Sequence, residues 1–199
     1  MWPIELRHPP VALRPLLVRD ERAWREVRQR NQEWLRPWDA TLPPGPVDGL
    51  PAPANFRSLV RRLSRQARVG AGFPFALLAD NEFAGQVTVS NVVRGSAQFA
   101  SLGYWIDQRH AGRGIMPIAV AMVIDHCFFV AGLHRMEIAI RPENRNSLRV
   151  VEKLGIERCG TAPRYLHIDG AWRDHLLFGI TVEECPGGLL RRHLGLAAQ

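Results

Sequence analysis

A loop containing two glycines, between an apolar strand and an apolar helix, has the clearest binding chemistry in the sequence. It lies within residues 104–115, which read YWIDQRHAGRGI. Gly112 and Gly114 let the backbone turn tightly and bring its amides close to a ligand. The first amides of the following helix have no partner inside the helix, and the helix dipole adds partial positive charge there. The segment is therefore suited to binding a diphosphate.

This loop differs from the two common nucleotide-binding loops. It contains neither GxGxxG nor GxxxxGK[ST], so kinase, ATPase and dehydrogenase activities lose their main support. A helix dipole contributes only about 0.3 to 2 kcal/mol to anion binding, so several amides would have to act together with Arg109 and Arg113. On this pattern alone, a loop that merely precedes a buried helix fits as well as an anion-binding site.

The elements around the loop alternate between strands and helices. We predict strands over residues 11–17, 75–78, 86–90, 100–106, 134–140, 159–168 and 172–182. We predict helices ending near 34–35 and spanning 55–69, 114–130 and 146–154. This order indicates an α/β or α+β fold with a mostly antiparallel sheet and one parallel crossover.

Two segments fall outside these elements. Residues 39–53 contain five prolines and two glycines, which predicts a loop, and we favour contact with substrate over mere disorder. Residues 186–199 are expected to form a loosely attached tail with one short amphipathic stretch.

Composition limits the class of protein. The chain has 199 residues, of which 46% are hydrophobic and 23% charged, which suits one folded domain and excludes a disordered protein. No apolar run approaches the roughly 20 residues of a membrane helix, and no signal peptide is visible, so we expect a soluble cytoplasmic protein. The three cysteines are widely spaced, which predicts reduced thiols, and no metal-binding motif is present.

The charge balance is basic. The formal net charge is +7, and the excess is almost entirely arginine. Such a field attracts nucleic acid, phosphorylated cofactors or an acidic partner, and does not choose among them. No recognised nucleic-acid-binding motif accompanies it, so we expect no specific nucleic-acid partner.

The pattern Arg109-x-x-Gly112-x-Gly114 resembles the acyl-CoA-binding loop of the GNAT N-acetyltransferases. Other segments are similar to the branch that acetylates the N-termini of ribosomal proteins, the RimJ/RimL type. These segments are NxxWLxxW at 31–38, GQV at 85–87, LGYWI at 102–106, HRME at 134–137, ENxxS at 143–147, KLG at 153–155 and GxWxDH at 170–175. The resemblance spans roughly residues 10–184.

This resemblance implies the GNAT fold. The expected domain covers residues 1–185, with 186–199 as a tail. Its centre would be a twisted, mixed, mostly antiparallel sheet of about seven strands flanked by helices. The family's fourth and fifth strands, here about 98–107 and 134–140, would splay apart around the pantetheine arm of CoA.

The resemblance also implies the binding residues. Pantetheine would hydrogen-bond along a free strand edge, and pyrophosphate would rest on the amides of the loop. The implied cofactor contacts are Trp105, Ile106, Arg109, His110, Ala111, Gly112, Arg113, Gly114, Ile115, Asn144 and Ser147. The amine would approach from the opposite side, and its implied contacts are Asn31, Trp34, Trp38 and Tyr165. No metal is expected.

Asn144 and Ser147 are the implied catalytic residues. They are three apart, so they lie on one face at the start of a helix. Ser147 either donates a hydrogen bond to the departing thiolate, directly or through water, or merely caps the helix. The tyrosine acid of many GNAT enzymes aligns with Val151, which has no proton to donate.

The base is open. The glutamate of some relatives aligns with Leu166, so a water chain ending on Glu33, Asp39, His167 or Asp174 would have to serve. An α-amine makes this tolerable, because its pKa of about 7.7 to 8.0 lies roughly 2.5 units below that of lysine, or about 3.4 kcal/mol.

The expected reaction is direct transfer of an acetyl group from acetyl-CoA to a primary amine in a ternary complex. The preferred acceptor is the N-terminal α-amine of a ribosomal protein, with possible ribosome association and no membrane partner. Two alternatives stay open. One is an acetyltransferase for a small-molecule amine or lysine, and the other is a catalytically silent CoA-binding protein on the ribosome.

Overall fold

The computed structural model describes residues 2–44 and 55–196. Its strands are β1 Leu6–His8, β2 Val11–Pro15, β3 Phe73–Ala79, β4 Glu82–Val93, β5 Phe99–Ile106, β6 Arg135–Ile140, β7 Glu157–Ile168 and β8 Ala171–Thr181. Its α-helices are α1 Glu21–Arg30, α2 Gln32–Leu35, α3 Phe56–Arg68, α4 Ile115–Phe129, α5 Arg145–Lys153 and α6 Leu189–His193. Most predicted elements are present, with boundaries shifted by a few residues.

All eight strands form one sheet in the order β1-β2-β3-β4-β5-β6-β8-β7. Every neighbouring pair is antiparallel except β5 and β6, which are parallel. The mostly antiparallel sheet with one parallel crossover is thus confirmed. The count is eight instead of about seven, because the three residues of β1 are too few to produce a recognisable alternation in the sequence.

The parallel pair separates soon after it forms. Strands β5 and β6 pair only at Phe99–Arg135, Ala100–Met136 and Ser101–Glu137. Beyond Ser101, β5 stays paired with β4 as far as Ile106, while β6 stays paired with β8 as far as Ile140. The predicted splay is therefore confirmed, and it leaves an opening between the two strands.

One face of the sheet is covered by α4, which carries most of the core. Its side chains are buried nearly all round, including Ala119, Val120 and Ile124, as expected for a helix packed on several sides. It contacts strands β1, β2, β4 and β6 and also helices α5 and α6. This packing holds the N-terminus of α4 at the edge of the opening.

The other face carries α1 and α3. Helix α3 begins at Asn55, whose side-chain oxygen accepts a hydrogen bond from the Ser58 amide at 2.9 Å. Phe56 and Val60 of α3 pack on Leu16 and Ala76 in a second, smaller core. The helix predicted over residues 55–69 is confirmed.

The C-terminal segment is not a loosely attached tail, so that expectation is wrong for the residues described. Leu189 is fully buried, and its amide donates to Asp125 Oδ1 at 2.6 Å. The Leu190 amide donates to the other oxygen of Asp125 at 3.1 Å, and Arg192 Nη2 donates to the Leu154 carbonyl oxygen at 2.6 Å. The short amphipathic stretch therefore forms α6, which packs on α4. The sequence did not reveal this contact, because Asp125, which caps α6, lies about 64 residues earlier in the chain.

The proline-rich loop predicted over 39–53 is described only as far as residue 44, and 45–53 lie outside the described residues. Its first part is attached to the β7–β8 hairpin. Ala40 forms an isolated bridge with Ile168, and the Thr41 amide donates to the His167 carbonyl oxygen at 2.9 Å. Among the described helices, none has the length and apolar character needed to cross a membrane.

Candidate active site

Two cavities flank the opening between β5 and β6. The first has a volume of about 380 Å³ and lies among the end of β5, the glycine loop and the first turns of α4 and α5. The second has a volume of about 240 Å³ and lies against β6, β7 and β8. The residues that line both are Trp38, Gly103, Tyr104, Asn144 and Ser147. The cavities therefore meet where Tyr104 faces the start of α5.

The glycine loop presents its backbone to the first cavity. Gly112 and Gly114 have φ of +77° and +78°, a left-handed conformation that L-residues rarely adopt. Nothing lies within 4 Å of the position a Cβ would take at either glycine. In the described structure, the amides from Gly112 to Met116 make no hydrogen bond to protein acceptors. This open row of donors at a helix N-terminus fits a diphosphate.

A buried carboxylate anchors the start of this loop. Asp107 is 1% exposed and accepts hydrogen bonds from Arg30 Nε at 3.0 Å, Asn31 Nδ2 at 2.8 Å and the Arg109 amide at 3.2 Å. Burial alone would raise the pKa of Asp107, but the hydrogen bonds from Arg30 and Asn31 outweigh it and lower that pKa. The ion pair ties the loop to α1.

Asn31 is part of this anchor and does not line either cavity. Its side chain also donates to the Val27 carbonyl oxygen at 2.8 Å and accepts from the Gln108 amide at 2.9 Å. The predicted substrate contact at Asn31 is thus replaced by a structural role. Asn31 also separates α1 from α2, which begins at Gln32.

Arg109 and Arg113 do not line either cavity, although both were predicted to contact the cofactor. Arg113 pairs with Asp80 at 3.0 Å and contacts His110 Nδ1 at 3.1 Å, in a largely exposed position. Both arginines are exposed on the loop, outside the cavity that its glycines line. The other predicted members of the loop do line the first cavity, namely His110, Ala111, Gly112, Gly114 and Ile115.

Trp105 and Ile106 line the first cavity as predicted, and so does Trp34. Trp34 Nε1 donates to the Ile106 carbonyl oxygen at 3.2 Å, so this carbonyl is already engaged. The Trp105 ring lies 5.3 Å from the guanidinium of Arg28. Trp34 therefore fixes the end of β5 as well as lining the cavity.

Asn144 and Ser147 come together at the start of α5. Asn144 Oδ1 accepts a hydrogen bond from the Ser147 amide at 3.1 Å, so Asn144 is the residue that caps the helix. The Ser147 hydroxyl makes no hydrogen bond to the described protein and borders both cavities. The alternative that Ser147 merely caps the helix is thus wrong. Val151 is 1% exposed and belongs to the core.

Tyr104 is a residue of the junction that the sequence did not single out. Its hydroxyl donates to the Ser147 carbonyl oxygen at 3.4 Å. Burial raises the pKa of Tyr104, so its phenol stays protonated near neutral pH and remains a hydrogen-bond donor. In the sequence, the apolar residues around Tyr104 favour a packing role. Its place at the junction becomes visible only in the structure, where β5 separates from β6.

The second cavity has an apolar wall and a few polar groups. Leu166, which aligns with the glutamate of some relatives, lies in that wall together with Ile138, Ile140 and Ile168. Trp38 borders it, with the guanidinium of Arg141 5.4 Å from its ring centroid. Tyr165, predicted to contact the acceptor, is 47% exposed and does not line either cavity.

The three carboxylates and one histidine proposed to end a water chain all have other partners. Glu33 is exposed beside Arg36, and Asp39, which lines the first cavity, pairs with Arg28 at 2.6 Å. His167 Nδ1 lies 2.8 Å from the Thr41 hydroxyl.

Asp174, the last of these candidates, accepts a hydrogen bond from the Arg164 amide at 2.7 Å. His167 and Asp174 both lie outside the two cavities. Within residues 2–44 and 55–196, no cluster of three or more metal-binding side chains occurs.

The family model of the acetyltransferase (GNAT) domain matches residues 11–157. The chain therefore belongs to the GNAT family, is an acetyl-CoA-dependent N-acetyltransferase and takes acetyl-CoA as its co-substrate. This confirms the family and the fold that the sequence motifs implied.

Its relatives include the ribosomal protein uS5-alanine N-acetyltransferase of Escherichia coli, 32% identical over 176 residues that cover 86% of this chain and 89% of that protein. YjcK of Bacillus subtilis, named a probable N-acetyltransferase, is 39% identical over 51% of this chain, and the match spans 56% of YjcK. The solved structure of Mycobacterium smegmatis RimJ in complex with CoA-disulfide is 39% identical, with a TM-score of 0.86. The match covers 98% of this chain and 95% of the RimJ chain.

Proposed function

We propose that this protein acetylates the N-terminal α-amine of a ribosomal protein, with alanine or another small residue first. The observation that carries the proposal is the meeting of two cavities at Tyr104 and Ser147. The uS5-alanine relative supports the acceptor class. The small, largely apolar second cavity suits a short first side chain next to a polar amine. Such a substrate places the reaction in the cytoplasm.

The residues at the junction support direct transfer in a ternary complex. The two substrates would enter from opposite sides, so no covalent carrier is needed between them. None of the described residues lining either cavity is a cysteine. Ser147 would donate a hydrogen bond to the departing thiolate, because its hydroxyl is uncommitted, and Tyr104 would hold the backbone of Ser147 in place.

The acceptor is tested with one peptide in two forms. The peptide begins with alanine and contains an internal lysine, and its matched control has the same sequence with a blocked N-terminus. Release of free CoA, measured with a thiol reagent, is expected only from the free form. Equal release from both forms would indicate lysine, and turnover restricted to small amines would also overturn the proposal. CoA binding without turnover on any acceptor would support the catalytically silent alternative.

Association with the ribosome would use the exposed face of α3. Arg57, Arg61, Arg65 and Arg68 recur at intervals of three or four residues and are all exposed. None of them pairs with a carboxylate in the described part of the chain. A stripe of unpaired guanidiniums complements a phosphate backbone without reading its sequence.

This surface is tested by binding to ribosomes at several salt concentrations. The pair Arg61→Gln and Arg65→Gln is expected to weaken binding and lower the slope of log K against log salt by about 0.7 to 0.9 for each lost phosphate contact. The pair Arg22→Gln and Arg25→Gln is the matched control, because these arginines are exposed but paired with Glu26 and Glu21. Equal effects of the two pairs would remove the role of α3.

A further inference from the structure

His175 on β8 has a geometry that the four candidates considered above lack. It is only 3% exposed, yet it lines the second cavity beside Asn144 and Ser147. On a strand, neighbouring side chains point to opposite faces, so His175 faces the cavity while Asp174 faces away and binds the Arg164 amide.

One hydrogen bond determines which ring nitrogen of His175 is free. Nδ1 lies 3.0 Å from the Arg173 carbonyl oxygen. A carbonyl only accepts, so Nδ1 carries the hydrogen and the neutral ring keeps its lone pair on Nε2. Nε2 has no hydrogen-bond partner in the described structure. Among the described residues, the fully buried polar side-chain atoms without partners belong to His8, Arg62 and His126. Nε2 of His175 is therefore not sealed off, and the surface that this residue lines is the second cavity.

The surroundings keep this ring neutral. Burial lowers the pKa of His175 and the charge of Arg141 adds to this, outweighing the opposite effects of the Arg173 carbonyl, Glu143 and Asp174. The neighbouring ring is Tyr165 on β7, with ring centroids 5.8 Å apart. An unprotonated imidazole is therefore available near neutral pH, at the side from which the acceptor would enter.

We propose that His175 is the general base of the acetyl transfer, accepting a proton on Nε2 from the ammonium group of the acceptor. The N–H bond breaks, and the freed electron pair of the amine attacks the thioester carbonyl carbon. The C–S bond then breaks, and the thiolate takes the second amine proton, assisted by Ser147. The imidazolium returns its proton to solvent. The products are the acetylated amine, CoA and one released proton.

This inference rests on the proposed function, and the pH profile distinguishes the two. We expect His175→Asn to keep a donor toward the Arg173 carbonyl and to lose the base. At pH 7, kcat/KM for the peptide should fall by about a hundredfold, while CoA affinity stays unchanged. The loss should shrink above about pH 9, where the α-amine is already deprotonated and needs no base.

His193→Asn is the matched control, because the Nδ1 of His193 also faces a carbonyl oxygen, that of Lys153 at 3.3 Å, but His193 lines neither cavity. It should show neither the loss nor the change in pH profile. His175→Ala provides a second route, because added imidazole should restore part of its activity. A loss that is the same at every pH, or one that imidazole does not relieve, would assign His175 a structural role. If the wild-type enzyme is inactive on every free N-terminus, the proposed acceptor fails instead.

Discussion

The two cavities are built from different parts of the polypeptide. The first includes the glycine loop and the N-terminus of α4, where backbone amides have no partner within the described protein. The second is lined by residues of four strands, β5 to β8, together with the segment around Trp38 and the start of α5. A backbone site depends on conformation, whereas a side-chain site depends on residue identity. The cofactor side should therefore respond most to changes that alter φ, and the acceptor side to loss of particular groups.

The largest effect is expected at Gly114. Gly114→Val would put a β-branched residue at φ +78° and direct it into the open space before the amides. We expect the Kd for CoA, measured by calorimetry, to rise by about a hundredfold, from strain plus obstruction. Gly95→Val is the matched control, because Gly95 has φ +72°, has open space around it and lies away from both cavities. Equal losses of CoA affinity in both variants would mean that strain alone matters.

A smaller effect is expected at Ser147. Ser147→Ala removes the uncommitted hydroxyl at the junction, and kcat should fall between about tenfold and a hundredfold with little change in CoA affinity. Ser147→Thr should restore much of the rate, because it returns a hydroxyl. If the alanine variant kept full kcat, the hydroxyl would have no part in the acetyl transfer.

A third effect is expected at Asp107, which anchors the glycine loop to α1. Asp107→Asn should lower the free energy of unfolding at pH 7 by about 1 to 3 kcal/mol, because it leaves Arg30 without its buried partner. The pKa of Asp107 is lowered in the folded state, so its contribution is present above the ordinary carboxylate pKa and is lost as pH falls.

The difference in the free energy of unfolding between the wild-type and Asp107→Asn proteins, measured with denaturant, should therefore become smaller from pH 5 toward pH 3. Asp39→Asn, which breaks a more exposed pair with Arg28, should cost less, about 0.2 to 1 kcal/mol. A difference that stays constant with pH would show that the Asp107 charge does not contribute.

The smallest effect is expected at Tyr104. Tyr104→Phe removes a long hydrogen bond of 3.4 Å to the Ser147 carbonyl oxygen and leaves the ring in place. We expect kcat to fall by only about threefold, with CoA affinity unchanged. A fall as large as that of Ser147→Ala would instead indicate that the phenol itself donates a proton during the transfer.

The same contrast explains what the sequence revealed. The strand–loop–helix order and Gly112 and Gly114 are local features, so the cofactor loop and the order of the elements were predictable. The Arg113–Asp80 pair and the Trp34–Ile106 hydrogen bond join distant segments, and they were not. Strand periodicity did show that Asp174 and His175 face opposite ways. It could not show which of the two faces a cavity, because this depends on where β8 lies in the sheet.

The short seam between β5 and β6 has a consequence for the whole molecule. Three residue pairs join a five-stranded part of the sheet, β1 to β5, to a three-stranded part made of β6, β8 and β7. A substrate bound in the opening would contact both parts of the sheet, because residues of β5 and of β6 line the cavities there. We therefore expect substrate binding to stiffen the contact between these two parts of the sheet.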